Sequence, residues 1–175
     1  MNKQDIIHLF GLNAQHAKKE VWHYIEKYVS VPLAIAQAIQ ESNCGHDAPG
    51  NNYFGIKGSE FNLTSTVYWS GFSTRFTTNE YVDGKEIVTQ AYFRKYGSMA
   101  QSFLDHAHLL ATHKAYHEAQ KFAEDNINVI SLKPEMHRLY VNLVSKVYAT
   151  DPEYAKSVNN LIDEHKLFAY DCPTT

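Results

Sequence analysis

The strongest apolar pattern in the chain runs from Pro32 to Ile39, where Gln37 is the one polar residue. A helix that is apolar on every side belongs inside a core. Ala34, Ala36 and Ala38 keep helix propensity high there and let neighbouring helices approach closely. Ser30 is placed to cap this helix, and Pro32 suits its first turn, where a missing N–H costs nothing. Gln37 and Glu41, four apart, share a face before the helix runs out into Ser42-Asn43-Cys44-Gly45. A carboxylate that ends a buried helix must be satisfied by partners, or its raised pKa put to use.

The pattern on either side predicts more helix. Asn2–Phe10 reads as a short helix before Gly11, and Asn13–Val29 as an amphipathic one, with Ala14, Ala17, Val21, Tyr24 or Ile25, and Tyr28 at three-to-four spacing. Gly45–Gly58 is rich in loop formers. The period then changes: Val67, Trp69, Phe72 and Phe76 are scattered among Ser and Thr, and Arg75–Val82 and Lys85–Phe93 flank Asp83-Gly84, a strong hairpin signal. Helices resume at Ser98, a cap, with Met99, Phe103, His106 or Ala107, and Leu110 on one face. Tyr116–Ala123 reads as another and Asp125–Lys133 as a loop. Pro134 opens a helix with Met136, Leu139 or Tyr140, Leu143 and Val147 inward. Thr150-Asp151-Pro152-Glu153 reads as a capping box for a last helix carrying Tyr154, Val158, Leu161 or Ile162, and His165, before a frayed tail from Asp171. The expected fold is mainly α with a small β-hairpin lobe at about 60–95, and a cleft between the two suits an extended ligand.

Composition narrows the classes. At 175 residues, one domain spanning 1–175 with a real core is expected. A formal charge of −3 provides no basic footprint for nucleic acid, and no run reaches the length of a membrane helix. Ile6–Phe10 is too short and too interrupted, by His8, for a secretory signal. Twelve tyrosines suit a core but also a groove for ring-shaped ligands such as sugars. Cys44 and Cys172 do not make a disulfide framework, and nothing requires them to pair.

Five segments in order resemble the glucosaminidase family that cleaves bacterial peptidoglycan, which includes the flagellar rod-cap muralytic domain, autolysins and phage lysins. They are AQAIQESNCG (Ala36–Gly45), NNYFGIKG (Asn51–Gly58), TTNEYVDGK (Thr77–Lys85), AYFRKYGSMAQSFLDHAHLL (Ala91–Leu110) and YATDPEYAKSVNNLI (Tyr148–Ile162). The resemblance implies a lysozyme-like α+β fold and hydrolysis of the β-1,4 bond between N-acetylglucosamine and N-acetylmuramic acid. It places the family's general acid on Glu41 and a second carboxylate on Glu80. Tyr148 completes the implied catalytic set, and Asn52, Phe54 and Tyr81 fall on positions near the sugar. Peptidoglycan strands are the implied partner of a monomer, with no cofactor, no metal, no nucleic acid and no membrane insertion. The chain departs from the family where Asn43-Cys44-Gly45 replaces Gly-Trp-Gly, and Asn126–Leu139 is longer than usual.

The residues bear the chemistry independently. Glycoside hydrolysis needs a proton for the leaving oxygen and a group to manage the oxocarbenium-like centre. The helix dipole and burial both disfavour ionisation of Glu41, which keeps it protonated near neutral pH. Glu80, on a hairpin strand, is more exposed and so ionised; alternatively, the substrate's acetamido group attacks. Cys44 is not a nucleophile, because a helix C-terminus raises its pKa. His106, His108, His113 and His117 form a run in which His113 and His117 stand at i, i+4, but no matching carboxylate joins them, so a solvated helix face is expected. Two rivals stand: a muramidase or lytic transglycosylase using Glu41 alone, and a non-catalytic wall-binding domain. With no signal visible, the expected setting is the cytoplasm until release to the cell wall, as for a phage lysin or exported effector, or else an excised domain.

Overall fold

Helix α2 (Val31–Glu41) is walled in from its first residue to Ile39, as its composition predicts. Ser30 caps it, accepting the Leu33 N–H at 3.1 Å. The computed structural model describes residues 2–59, 66–82 and 85–171, with side chains at all of these except 79–82, 85 and 86. Around α2 lie α1 (Lys3–Ile25), α3 (Met99–Thr112), α4 (His117–Asp125), α5 (Pro134–Tyr148) and α6 (Tyr154–Glu164), and between α2 and α3 a two-stranded antiparallel sheet, β1 (Ser73–Val82) and β2 (Lys85–Arg94). The fold is mainly α with one hairpin, of the lysozyme-like α+β class.

The N-terminal region is one helix rather than two. α1 starts at an Asn2–Asp5 capping box and passes through Gly11 without a break. Gly11 marks a close approach instead of a stop: a Cβ there would overlap the Tyr170 ring. The helix ends at Glu26, in the left-handed region at φ 52°, three residues before Val29. Ala14, Ala17, Val21 and Tyr28 are buried as expected, and of the alternatives Tyr24 and Ile25 it is Ile25 that packs on the core, Tyr24 being 68% exposed.

Two further expectations are corrected. α5 presents His137, Tyr140, Val141 and Val144 to the core, while Leu139 and Val147 point to solvent. Of the alternatives Leu139 and Tyr140 the core takes Tyr140, and the other inward positions shift by one residue because the buried His137 is one that apolar counting passes over. The capping box before α6 is not formed. Asp151 Oδ1 instead accepts the Glu153 N–H at 2.9 Å in a local turn, and α6 begins only at Tyr154.

Both strands reach a residue or two beyond the predicted limits at the base of the hairpin, with Phe76 opposite Ala91 and Glu80 opposite Ile87. The Asp83-Gly84 turn lies outside the described residues. At its base the hairpin is tied to the helical body through Asp105 of α3, which is 1% exposed. Its carboxylate accepts from Arg94 Nη1 at 2.6 Å, from the Tyr96 hydroxyl at 2.7 Å and from Thr66 Oγ1 at 2.5 Å. Arg94 in turn lies over the Trp69 ring, 4.5 Å from its centroid. One buried carboxylate thus gathers β2, the segment after it and residues 66–69.

Two predictions follow from this packing. Asp105→Ala would leave the Arg94 guanidinium largely buried without its counter-charge, so unfolding free energy in urea is expected to drop by about 3–5 kcal/mol; a cost under ~1 kcal/mol would mean the hairpin is held elsewhere. The second concerns His137, which hydrogen-bonds Ser30 at 2.5 Å, and whose pKa is lowered to about 4 by burial and by Lys18 and Arg138. The unfolded chain takes up this proton below about pH 6.5 while the folded one resists until about pH 4, so stability is lost as pH falls through that window. Between pH 7 and pH 5, wild type should lose about 2 kcal/mol more than His137→Phe; parallel pH dependences would refute the assignment.

Candidate active site

Glu41 stands where α2 leaves the core. The helix stops there through a Schellman closure: Asn43 takes the left-handed conformation at φ 46°, and the Cys44 N–H donates back to Ile39 O at 2.8 Å. Ser42 reinforces the stop, donating to Ala38 O and accepting the Gly45 N–H. Asn43 is thus at home as the asparagine that such a closure tolerates. Cys44 packs at the core edge, and burial raises its thiol pKa although Lys3 opposes this. Cys172 lies outside the described residues.

Part of the Glu41 side chain reaches the cleft, yet enough protein surrounds the carboxyl that burial raises its pKa. One interaction works against this rise: the Tyr154 hydroxyl donates to Glu41 Oε1 at 2.7 Å, favouring the ionised form. Tyr154 stays a phenol and hence a donor, because burial and the neighbouring Glu41 charge push its own pKa far up. Behind it Gln37, fully buried, donates from Nε2 to the Tyr154 oxygen at 3.2 Å and meets His106 Nε2 with Oε1 at 3.0 Å.

The carboxyl opens on a concavity of about 490 Å³ lined by Gln40, Phe54, Gly55, Ile56, Lys57, Leu109, Tyr116, Tyr148, Ala149 and Tyr154. Tyr148 stacks on Tyr154 at 5.7 Å between centroids and donates its hydroxyl to Phe54 O at 2.9 Å. A larger concavity, about 990 Å³, lies against Lys18, Trp22 and Tyr28, but its acid, Asp171, is already paired with Lys18 at 2.5 Å. Glu41 therefore marks the candidate site.

The other predicted residues take varied places. Phe54 is 2% exposed and stacks on His106 at 3.8 Å, forming cleft wall through its backbone and core through its ring. Asn52 is buried, and its amide bonds the Ile56 N–H and carbonyl and the Arg94 carbonyl, so it shapes the loop that approaches β2. Glu80 and Tyr81 lie on β1 opposite Ile87 and Glu86; their side chains are outside the description. The histidine run divides: His113 and His117 are exposed as expected, His108 is half-buried, and His106 is fully buried, its pKa lowered to about 3 by that burial. His113 ends α3 and His117 begins α4, so their i, i+4 spacing does not fall within one helix. Among the described residues no group of three metal-ligating side chains converges.

Tyr154, His106 and Asp105 were not among the predicted site residues. The signal for the first was its place in the YATDPEY segment beside Tyr148. Nothing in periodicity distinguishes the other two from an ordinary inward face.

A helical body with a hairpin lobe and a glutamate at the end of its central helix defines a lysozyme-like domain of the glycoside hydrolase type. Residues 16–167 match the glucosaminidase family model, described as mannosyl-glycoprotein endo-beta-N-acetylglucosaminidase, and the chain belongs to this family. It is 36% identical over 152 residues to the autolysin of Enterococcus faecalis, covering 85% of this chain and 19% of that protein. It is 34% identical over 143 residues to a probable N-acetylmuramidase of Lactococcus lactis subsp. lactis, covering 79% and 29%. The chain thus spans less than a third of the length of these curated relatives. Its fold matches the crystal structure of the catalytic domain of the autolysin Auto from Listeria monocytogenes with a TM-score of 0.69 at 29% identity, over 97% of this chain and 87% of that one.

The Tyr154–Glu41 hydrogen bond has a measurable consequence. Tyr154→Phe removes the donor that favours the carboxylate, so the Glu41 pKa should rise further in a side-chain 13C NMR titration. An unchanged or lower pKa would show that burial alone sets it.

Proposed function

We propose that this chain hydrolyses the β-1,4 bond between N-acetylglucosamine and N-acetylmuramic acid in bacterial peptidoglycan, with Glu41 as general acid. The observation that carries the reading is the Glu41 carboxyl at the end of a buried helix, open to a cleft, its pKa raised by burial and one oxygen held by Tyr154. A general acid must hold its proton at the working pH and tolerate the charge left after transfer. Burial serves the first need and the Tyr154 hydroxyl the second. The family supports the reaction class.

Glu80 is the proposed second carboxylate, steadying the oxocarbenium-like centre or orienting water from the hairpin; attack by the substrate's acetamido group is the alternative at that step. Tyr148 is proposed to border the reacting sugar, with Asn52 and Phe54 shaping the wall and Tyr81 contributing from β1. We take the chain, 1–175, to act as one monomeric domain on glycan strands, without nucleic acid or membrane insertion. Among the described residues no helix is long and apolar enough to cross a membrane.

A second reading is favoured by the probable N-acetylmuramidase among the relatives: the same acid would cleave the other β-1,4 bond, or act alone as in a transglycosylase. Digestion of purified cell walls followed by mass analysis of the released fragments separates these. Glu41→Gln should lose about 10²–10⁴-fold in rate, and wild-type products should end in reducing N-acetylglucosamine. Near wild-type activity of Glu41→Gln would overturn its role, and a muramic or anhydro-muramic end would replace the proposed bond with its rival.

A further inference from the structure

We infer that His106, acting through Gln37 and Tyr154, is a positioning residue that determines which oxygen of Glu41 carries the transferable proton. The inference rests on the general-acid reading of Glu41 and adds a role for groups that lie behind it.

The direction of the whole chain of hydrogen bonds is decided at its buried end. His106 Nδ1 has no hydrogen-bond partner among the described residues and no contact with solvent, whereas Nε2 lies 3.0 Å from Gln37 Oε1. A neutral imidazole has one N–H. Placing it on Nδ1 would bury a donor with nothing to receive it, so the proton belongs on Nε2. Nε2 then donates to Gln37 Oε1, which turns Gln37 Nε2 toward the Tyr154 hydroxyl oxygen at 3.2 Å. With that oxygen accepting, the Tyr154 proton goes to Glu41 Oε1 at 2.7 Å. Every donor points outward, from the core to the acid.

The consequence is at Glu41. Oε1 already accepts, so the protonated acid carries its hydrogen on Oε2, which makes no hydrogen bond to the described residues. From Oε2 the proton passes to the leaving glycosidic oxygen, and the carboxylate that remains is met at Oε1 by Tyr154. The reverse arrangement, with Gln37 rotated by half a turn, would have Tyr154 donating to Gln37 and would require the orphaned Nδ1 to hold the histidine proton. His106 stacks on Phe54, 3.8 Å apart and 7° from parallel. Burial holds the ring neutral across the working range, its pKa lowered to about 3. The ionisable groups around the relay are Tyr148 from α5, whose ring is 6.0 Å from His106 and stacks on Tyr154, and Tyr116 and Lys57 on the cleft wall.

Nitrogen-15 NMR of the intact chain reads the tautomer directly. At neutral pH His106 should show a protonated Nε2 and a bare Nδ1; a proton on Nδ1 overturns the inference, whatever Glu41 does in catalysis. The second measurement is the pH profile of kcat/KM on wall fragments for His106→Phe, which keeps a ring against Phe54 and removes the donor. Gln37 is then free to turn Oε1 toward Tyr154 and draw its proton away from Glu41. The Tyr154 bond lowers the Glu41 pKa, so losing it should move the basic limb up by about one pH unit. A uniform fall in kcat/KM with the limb unmoved would make His106 a packing residue only. If His106→Phe does not fold, the tautomer of the wild-type chain decides.

Discussion

Burying the amide of Gln37 is the constraint on which the rest of this structure depends. An amide enclosed in a core must find a donor and an acceptor there, or the helix that carries it is heavily penalised. Here the acceptor side meets His106 of α3 and the donor side meets Tyr154 of α6. Three helices are thereby fixed against one side chain. The same satisfaction delivers a phenol to Glu41, one turn further along α2, where the helix reaches the cleft. Packing and chemistry are consequently not separable in this region.

The hairpin lobe is held by a different means. A two-stranded sheet is marginal on its own, and this one is attached at its base by the buried Asp105 cluster and by backbone bonds from the 56–58 segment to β2. The Asn52 amide joins the Ile56 loop to Arg94 and so to the same base. Cleft wall and hairpin base are therefore one mechanical unit, seated on α3.

Much of this was legible in the residues. The all-round apolar run named α2 as the central helix, Ser30 and Ser98 were recognisable caps, and the alternation around Asp83-Gly84 gave two strands within a residue or two of their limits. Errors arose where a residue has more than one physical use. Gly11 has the look of a helix stop, but its missing Cβ accommodates Tyr170 from the far end of the chain. Asp151 satisfied the backbone of Glu153 before Thr150 could build a capping box. His106 falls both on the inward face of α3 and in a polar histidine run, and the core takes it, because neutral imidazole with one partner is well suited there.

By itself, the sequence determined that a carboxylate would stand at the end of a buried helix, since helix period and apolar composition are local properties carried by neighbouring residues. It also carried the family, through five segments in order. The tertiary structure alone decided what that carboxylate meets. Tyr154 lies 113 positions from Glu41, and His106 lies 69 from Gln37. No local pattern encodes a hydrogen bond across such separations, because its donor and acceptor are brought together only when the core closes and water is no longer available to either.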